Sequence, residues 1–171
     1  MVKNVDNVFL LWYHINTRGK EIEKMNITVK AIWFDMDGTI ANLYEVDGWL
    51  ADLEAERTRP YEEAVPLINM NSLARILNRL HREGWEINIV SWTSKNGTAE
   101  YNARVAEVKK AWLKKHLKSV KFTTIDIIPY GTKKGDNRYG ILFDDEERNR
   151  NDWTEVAYDV TDILGVLKTI A

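Results

Sequence analysis

The sequence predicts an α/β protein with a mainly parallel β-sheet in three layers. Short, continuous apolar runs recur from residue 28 onward, and segments with apolar residues at helical spacing separate them. Acidic or hydroxyl residues follow several of these runs directly. Because an apolar run without alternation suits a strand that is buried on both faces, we predict the runs as strands of a parallel sheet.

Five apolar runs are predicted as the strands. They are Ala31–Phe34, 87–90, 125–128, Ile141–Phe143 and Val156–Tyr158. A strand followed by a helix and a further parallel strand forms a right-handed crossover, so helices are expected to cover the faces of the sheet.

Three segments between or after these strands have the spacing of amphipathic helices. The first begins near Ser72 as N-cap, the second covers 98–117, and the third is capped by Thr161. Their apolar faces are formed by Leu73, Ile76, Leu77 and Leu80, by Tyr101, Val105, Val108 and Trp112, and by Ile163, Leu164, Leu167 and Ile170.

Two segments fall outside this alternation. Residues 42–70 are predicted as a small helical flap, with one helix followed by a break at 58–61. Residues 1–24 form an N-terminal extension of uncertain role, with a possible strand at 8–13 and a turn at 17–20. The remaining residues, 25–171, are predicted as a single domain that contains the flap.

Composition excludes several classes of function. The 171 residues contain no cysteine, which rules out a disulfide framework, a thiolate nucleophile and a cysteine zinc site. The formal net charge of −2 argues against a protein that coats nucleic acid. Since no apolar run approaches the roughly 18 residues of a membrane helix, we expect a cytoplasmic, soluble protein without a membrane partner.

Acidic and hydroxyl residues collect at the predicted carboxyl ends of the strands. Asp35 and Asp37 follow the first strand, Ser91 follows the second, and Asp144 with Asp145 follows Ile141–Phe143. Ligands of open parallel sheets bind at this edge. Carboxylates about 4 Å apart repel by about 4 kcal/mol at an effective dielectric near 20, so a shared pocket needs a cation. Oxygen ligands without His or Cys favour Mg²⁺, which commonly completes its shell with a substrate phosphate.

These motifs resemble the four motifs of the haloacid dehalogenase superfamily over residues 28–171. The sequence 35–39, Asp-Met-Asp-Gly-Thr, is similar to motif I, and Ser91 resembles the motif II hydroxyl. Lys133 or Lys134 resembles the motif III lysine, and Asp144-Asp145 resembles the acidic motif IV. The resemblance implies a Rossmann-like sheet and places this chain near the deoxyribonucleotidase-like phosphatases.

The resemblance also implies a role for each residue. Asp35 would be the nucleophile that forms an aspartyl-phosphate, and Asp37 would be the general acid and then the general base. Phosphate-binding residues would be Thr39, which also fixes the motif I loop, Ser91, and Lys134 in preference to Lys133. Mg²⁺ would be held by Asp35, the backbone carbonyl of Asp37 and Asp144, with Asp145 supporting the metal's water shell or the lysine.

The resemblance and the aromatic flap together predict a phosphomonoester hydrolase for a small phosphorylated substrate, with a nucleotide as the first choice. Aromatic and guanidinium groups suited to a base or a phosphate are Tyr44, Tyr61 and Trp92, with Arg57 and Arg59. Two alternatives stay open: a phosphatase for a bulky substrate such as a nucleic-acid end or a phosphoprotein, and a non-catalytic phosphate-binding protein. The sequence leaves oligomerisation open.

One helix also contains a cluster of lysines. Lys109, Lys110, Lys114, Lys115 and Lys118 are predicted as a solvated basic face of the helix at 98–117, in preference to a nucleic-acid patch.

Overall fold

The computed structural model describes Leu10–Leu11, Met25–Asn26 and residues 29–171. Within these residues the strands in chain order are β1 (Leu10–Leu11), β2 (Met25–Asn26), β3 (Ala31–Phe34), β4 (Ala41–Asn42), β5 (Val65–Pro66), β6 (Glu86–Trp92), β7 (Thr124–Ile128), β8 (Ile141–Phe143) and β9 (Val156–Tyr158). The α-helices of the same residues are α1 (Trp49–Glu54), α2 (Arg59–Glu63), α3 (Met70–Arg82), α4 (Ala99–His116), α5 (Glu147–Asn151) and α6 (Ile163–Ile170).

A five-stranded parallel sheet forms the centre of the molecule, in the order β7-β6-β3-β8-β9. All five predicted strands are present, and β6 is longer than expected. Alternate residues of β3 point to opposite faces, so Ile32 and Phe34 join one core cluster while Ala31 and Trp33 join another. The predicted α/β fold class is therefore confirmed.

The two faces of the sheet are covered differently. Apolar side chains of α3, α4 and α6 pack in the larger cluster on one face. The other face is covered by the short α5 and by loops: Trp153 lies 6.2 Å from the Trp33 ring and donates a hydrogen bond to the Gly140 carbonyl. The guanidinium of Arg138 lies 5.5 Å from the centre of the Trp33 ring.

The ends of two helices differ from the sequence prediction. Thr161 does not cap the last helix, because Asp159 caps a 3₁₀ turn at Val160–Asp162 and α6 begins only at Ile163. The helix predicted from Ser72 begins earlier, at Met70, because the side chain of Asn69 accepts a hydrogen bond of 2.9 Å from the Ser72 amide. Asparagine is as good an N-cap as serine, and here it satisfies an amide at the open end of the helix. The N-cap of α4 is Thr98, whose hydroxyl accepts from the amide of Tyr101.

The predicted flap contains a 3₁₀ turn, α1 and α2, and β4 pairs with β5 at its base. The break predicted at 58–61 is wrong, because α2 begins there at Arg59. Pro60 lies in its first turn, where a proline ring removes no helical hydrogen bond.

The flap is fastened to the start of α4. The Glu56 carboxylate accepts hydrogen bonds from the Thr98 amide at 2.7 Å and from the Thr98 hydroxyl at 2.8 Å. The Tyr101 hydroxyl also donates to the Arg57 carbonyl at 2.9 Å. These contacts hold the flap against the helix that follows β6.

Near the N-terminus, Leu10–Leu11 and Met25–Asn26 pair antiparallel as a separate two-stranded sheet. The rest of the strand predicted at 8–13 and the turn predicted at 17–20 lie outside the described residues. The role of the extension stays a prediction. Among the helices that the structure describes, none combines the length and the apolar character needed to cross a membrane.

Candidate active site

A tight loop after β3 presents Asp35 and Asp37 at the carboxyl edge of the sheet. The Asp35 amide donates to the Phe143 carbonyl at 2.9 Å, which extends the pairing of β3 with β8 by one residue. The loop then turns around the Met36 carbonyl, which accepts the amides of Thr39, Ile40 and Ala41.

Gly38 makes this turn possible. Its φ of 76° is readily adopted by glycine, and a Cβ atom at this position would collide with Oδ2 of Asp145. Such a Cβ would also lie 2.8 Å from Cε2 of Tyr44. The loop therefore approaches the residues after β8 more closely than any side chain would allow.

Asp35, Asp144 and Asp145 form a cluster in which one carboxylate oxygen from each lies within 4.8 Å of the others. The prediction that residues after separate strands meet at one edge is confirmed. Burial and the charge of Asp35 raise the pKa of Asp144 to about 6 and that of Asp145 to about 7. Crowded carboxyl groups with raised pKa values would be relieved by a cation, and an all-oxygen cluster of this size fits a divalent ion such as Mg²⁺.

Lys134 lies between two members of this cluster. Its Nζ is 2.8 Å from Oδ1 of Asp35 and 2.7 Å from Oδ2 of Asp144, and the residue is 3% exposed. Burial alone would lower the pKa of Lys134, but the charges of Asp35 and Asp144 outweigh it and hold the pKa above its usual value. Lys133 is exposed. The structure thus separates the two lysines that the sequence left as alternatives.

The two adjacent aspartates after β8 have different partners. Oδ1 of Asp144 accepts from the Glu146 amide at 2.9 Å and from Nδ2 of Asn149 at 3.0 Å, while Oδ2 accepts from Lys134. Asn149 was missed in the sequence, where a polar residue in a short helix gives no signal.

Asp145 is bonded to the motif I loop through Thr39. The Thr39 hydroxyl donates to Oδ1 of Asp145 at 3.2 Å and accepts from the Asp145 amide at 3.2 Å. Asp145 therefore uses both the proton and the acceptor capacity of the Thr39 hydroxyl. Its position supports the expected role in fixing the loop and gives no support to direct phosphate binding.

Asp37 and Ser91 both contact Lys109, a residue that the sequence analysis predicted to be exposed to solvent. Nζ of Lys109 lies 2.6 Å from Oδ2 of Asp37 and 2.9 Å from Oγ of Ser91, and the Trp92 carbonyl is at 2.6 Å. Lysine only donates, so the Ser91 hydroxyl accepts this bond and its own proton is directed elsewhere.

The prediction that Lys109 is solvated is wrong, since the residue is 1% exposed. The other four lysines of that face, Lys110, Lys114, Lys115 and Lys118, are exposed as predicted. A signal was present in the sequence. Lys109 follows Tyr101 and Val105 at steps of four and precedes Trp112 by three, which puts it in the middle of the apolar face of α4.

The surroundings of Asp37 favour its protonated form. Burial raises its pKa, the ion pair with Lys109 opposes this, and the charge of Asp35 adds to it. The resulting pKa lies above the ordinary value of an aspartate. A carboxyl group with a raised pKa suits proton donation near neutral pH.

A cavity of about 520 Å³ opens above Asp35 and Asp37. The predicted specificity residues Tyr44, Tyr61 and Trp92 all line it. Trp49 and Tyr130 line it as well and were not singled out in the sequence. Arg57 and Arg59 do not line it, because both pair with Asp52 inside the flap, at 2.6 and 2.5 Å.

One wall of the cavity is formed by aromatic rings that have cationic groups close to them. The rings of Trp92 and Tyr130 are 5.0 Å apart, and the Arg148 guanidinium lies 4.6 Å from the Trp92 ring centre. Trp92 is fixed by a hydrogen bond of 2.8 Å from its indole N–H to the Thr132 carbonyl. Lys95 lies 5.6 Å from the Tyr130 ring centre at the same wall.

Comparisons with known proteins bear on the fold. No protein-family profile matches the chain, and no curated protein matches it. Among solved structures, the crystal structure of D,D-heptose 1,7-bisphosphate phosphatase from Burkholderia thailandensis is similar, with a TM-score of 0.51 and 11% sequence identity. The match covers 82% of this chain and 97% of that one. The chain thus shares its mainly parallel α/β fold with that structure.

Proposed function

We propose that this protein is a Mg²⁺-dependent phosphomonoester hydrolase of the haloacid dehalogenase type that acts through an aspartyl-phosphate. The observation that carries the proposal is the position of Asp35. Its carboxylate lies at the floor of the cavity, bonded to Lys134 and beside Asp144 and Asp145, and Asp37 faces the same cavity. The similar structure is that of a phosphatase, and its shared fold supports the proposal of a phosphomonoester hydrolase.

The proposed reaction has two steps. A carboxylate oxygen of Asp35 bonds to phosphorus while the ester P–O bond breaks, and Asp37 gives its proton to the departing alkoxide. Asp37, now ionised, takes a proton from a water molecule that attacks the phosphorus of the aspartyl-phosphate. The P–O bond to Asp35 then breaks, which releases inorganic phosphate and restores the carboxylate.

Two side chains are placed to hold the phosphoryl oxygens. Lys134 directs two of its three protons to Asp35 and Asp144, which leaves one for a phosphoryl oxygen. The hydroxyl of Ser91 accepts from Lys109, so its proton is available for the same purpose. We retain both as proposed phosphate ligands, and we no longer propose Lys133 or Thr39.

The proposed metal ligands include Asp35 and the Asp37 carbonyl, with one carboxylate from the pair after β8. Hydrogen bonds favour Asp145 over Asp144, because both oxygens of Asp144 already accept from Lys134, Asn149 or the Glu146 amide. When fully ionised, the four carboxyl groups of the site would exceed the two buried ammonium groups of Lys109 and Lys134 by two negative charges. Bound Mg²⁺ would balance this excess and offset the charge of the phosphate.

Nucleotides are the proposed substrates. Aromatic rings on both the flap and the sheet side line the cavity, and its polar end holds the catalytic carboxylates. This arrangement suits a planar base joined to a phosphate, since bases stack on aromatic faces. The cytoplasmic location stays a prediction from the sequence.

The test is a panel of nucleoside 5′-monophosphates, sugar phosphates and 5′-phosphorylated oligonucleotides, each assayed with Mg²⁺ and with EDTA. We expect nucleoside monophosphates to show kcat/KM about 10-fold or more above sugar phosphates, because a stacked base contributes about 1–3 kcal/mol. We expect EDTA to abolish the activity and added Mg²⁺ to restore it.

The other outcomes separate the alternatives. A preference for sugar phosphates would contradict the nucleotide assignment alone. A preference for oligonucleotides would favour a phosphatase for bulky substrates. No release of phosphate from any compound with Mg²⁺ would contradict the enzyme and favour a phosphate-binding protein.

The metal assignment predicts different effects for the two aspartates after β8. Asp145→Asn should weaken Mg²⁺ binding by about 100-fold, and Asp144→Asn should weaken it by about 10-fold, as for residues that support a ligand. Titration calorimetry with Mg²⁺ measures both values. Asp136→Asn, at an exposed aspartate of the same region, is the control. A larger loss for Asp144→Asn would restore Asp144 as the ligand.

A further inference from the structure

The ammonium group of Lys109 is buried, and its hydrogen-bond acceptors all belong to the protein. Its side chain is 1% exposed on the apolar face of α4, between Val105 and Trp112. An ammonium group removed from water is costly unless it is paired and hydrogen-bonded. A lysine retained in this position therefore has specific partners.

The three protons of the ammonium group have three close acceptors. Two of these, Oγ of Ser91 and the carbonyl of Trp92, belong to β6, and the third is Oδ2 of Asp37. The ring of Tyr61 closes the remaining side, with its centre 5.1 Å from Nζ. With every proton engaged, Lys109 does not reach a substrate directly.

The geometry links the rigid sheet to a catalytic group. β6 is an interior strand of the sheet, between β3 and β7, and its last two residues fix the position of Nζ. The side chain of Asp37 is 19% exposed and lines the cavity. Without the third contact, its carboxyl group would be free to rotate among rotamers, of which few point at a leaving group.

We propose that Lys109 is a positioning residue that holds the carboxyl group of Asp37 in the orientation needed for proton transfer to the leaving group. The inference rests on the proposed function and adds to it a residue on α4. Lys109 acts on the proton transfer only through Asp37, whereas its bond to Ser91 bears on both kinds of substrate alike. Its removal should therefore matter most where the leaving group needs a proton.

The first experiment compares two substrates in Lys109→Met with Mg²⁺ present. p-Nitrophenyl phosphate releases a stable phenolate that departs without a proton, whereas a nucleoside 5′-monophosphate releases an alkoxide that needs one. We expect kcat/KM for the nucleotide to fall about 100-fold, and that for p-nitrophenyl phosphate to fall less than about 10-fold. Lys110→Met, at the exposed neighbour that pairs with Glu107, is the matched control and should change neither value.

A second variant avoids the cost of an unpaired buried charge. Asp37→Asn combined with Lys109→Met removes both charges of the ion pair, so it is expected to fold even where the single lysine variant does not. If Lys109 acts through Asp37, the double variant should have a kcat/KM for the nucleotide within about 3-fold of Asp37→Asn alone.

Equal losses on both substrates, or no loss on either, would overturn the positioning role. So would a double variant that is about 100-fold below Asp37→Asn on the nucleotide. These results leave the proposed function intact, because the wild-type protein is active in them. A wild-type protein that hydrolyses neither substrate would overturn the proposed function and this inference together.

Discussion

Asp35→Asn is expected to abolish phosphate release, with a loss in kcat of at least ~10⁴-fold. The amide has nearly the same size as the carboxylate, but it is not a nucleophile towards phosphorus. Asparagine can still accept the hydrogen bond from Lys134, so the fold should survive the change. The measurement is steady-state hydrolysis of p-nitrophenyl phosphate with Mg²⁺, together with trapping of the acyl-phosphate by rapid acid quench.

The prediction for Asp35→Asn has a matched control, and one outcome would contradict it. Asp136→Asn changes an exposed aspartate in the same chemical way and should leave both kcat and the trapped intermediate unchanged. If Asp35→Asn retains more than about one hundredth of the wild-type rate, or still forms an acyl-phosphate, another residue is the nucleophile.

Asp37→Asn should reduce kcat/KM for a nucleoside monophosphate by ~10²–10⁴-fold, the usual contribution of general acid–base catalysis. Mg²⁺ binding should persist, since only the backbone carbonyl of this residue is proposed as a ligand. Calorimetric titration with Mg²⁺ and kinetics on the same preparation measure both properties. Unchanged turnover would contradict the acid–base assignment.

The pH dependence of the wild-type protein follows from the same residue. Burial raises the pKa of Asp37, so its protonated form persists to higher pH than that of an ordinary aspartate. The acid must be protonated in the step that expels the alkoxide. The value of kcat/KM for the nucleotide should therefore fall as the pH rises through this pKa. This alkaline decline should be absent in Asp37→Asn.

The positions of site residues could be predicted from the sequence wherever they follow from backbone topology. Runs such as Ala31–Phe34 identify strands, and a parallel sheet brings together whatever follows its strands. Asp35 and Asp144 could therefore be placed at one edge without coordinates. The resemblance of the four motifs, in their order, to those of a known family then implied a role for each of these residues.

Side-chain direction was not predictable in the same way. Lys133 and Lys134 are neighbours in a loop without periodicity, and only the fold shows that Lys134 reaches Asp35. The same holds for Asp144 and Asp145, which leave β8 next to each other. The burial of Lys109 was not predicted, because its charge favours an exposed position. Its spacing from Val105 on the helix nevertheless agrees with burial.

The flap offers a consequence for how such proteins diversify. Ala41 lies opposite Pro66 and Asn42 opposite Val65, so the segment leaves the domain and returns to it at neighbouring points. Segments with adjacent ends are readily exchanged for longer or shorter ones. A replacement for the flap would still have to form hydrogen bonds with Thr98 and Tyr101, as the present flap does. The proposed recognition of a substrate and the proposed cleavage of its ester could thus be engineered separately on one scaffold.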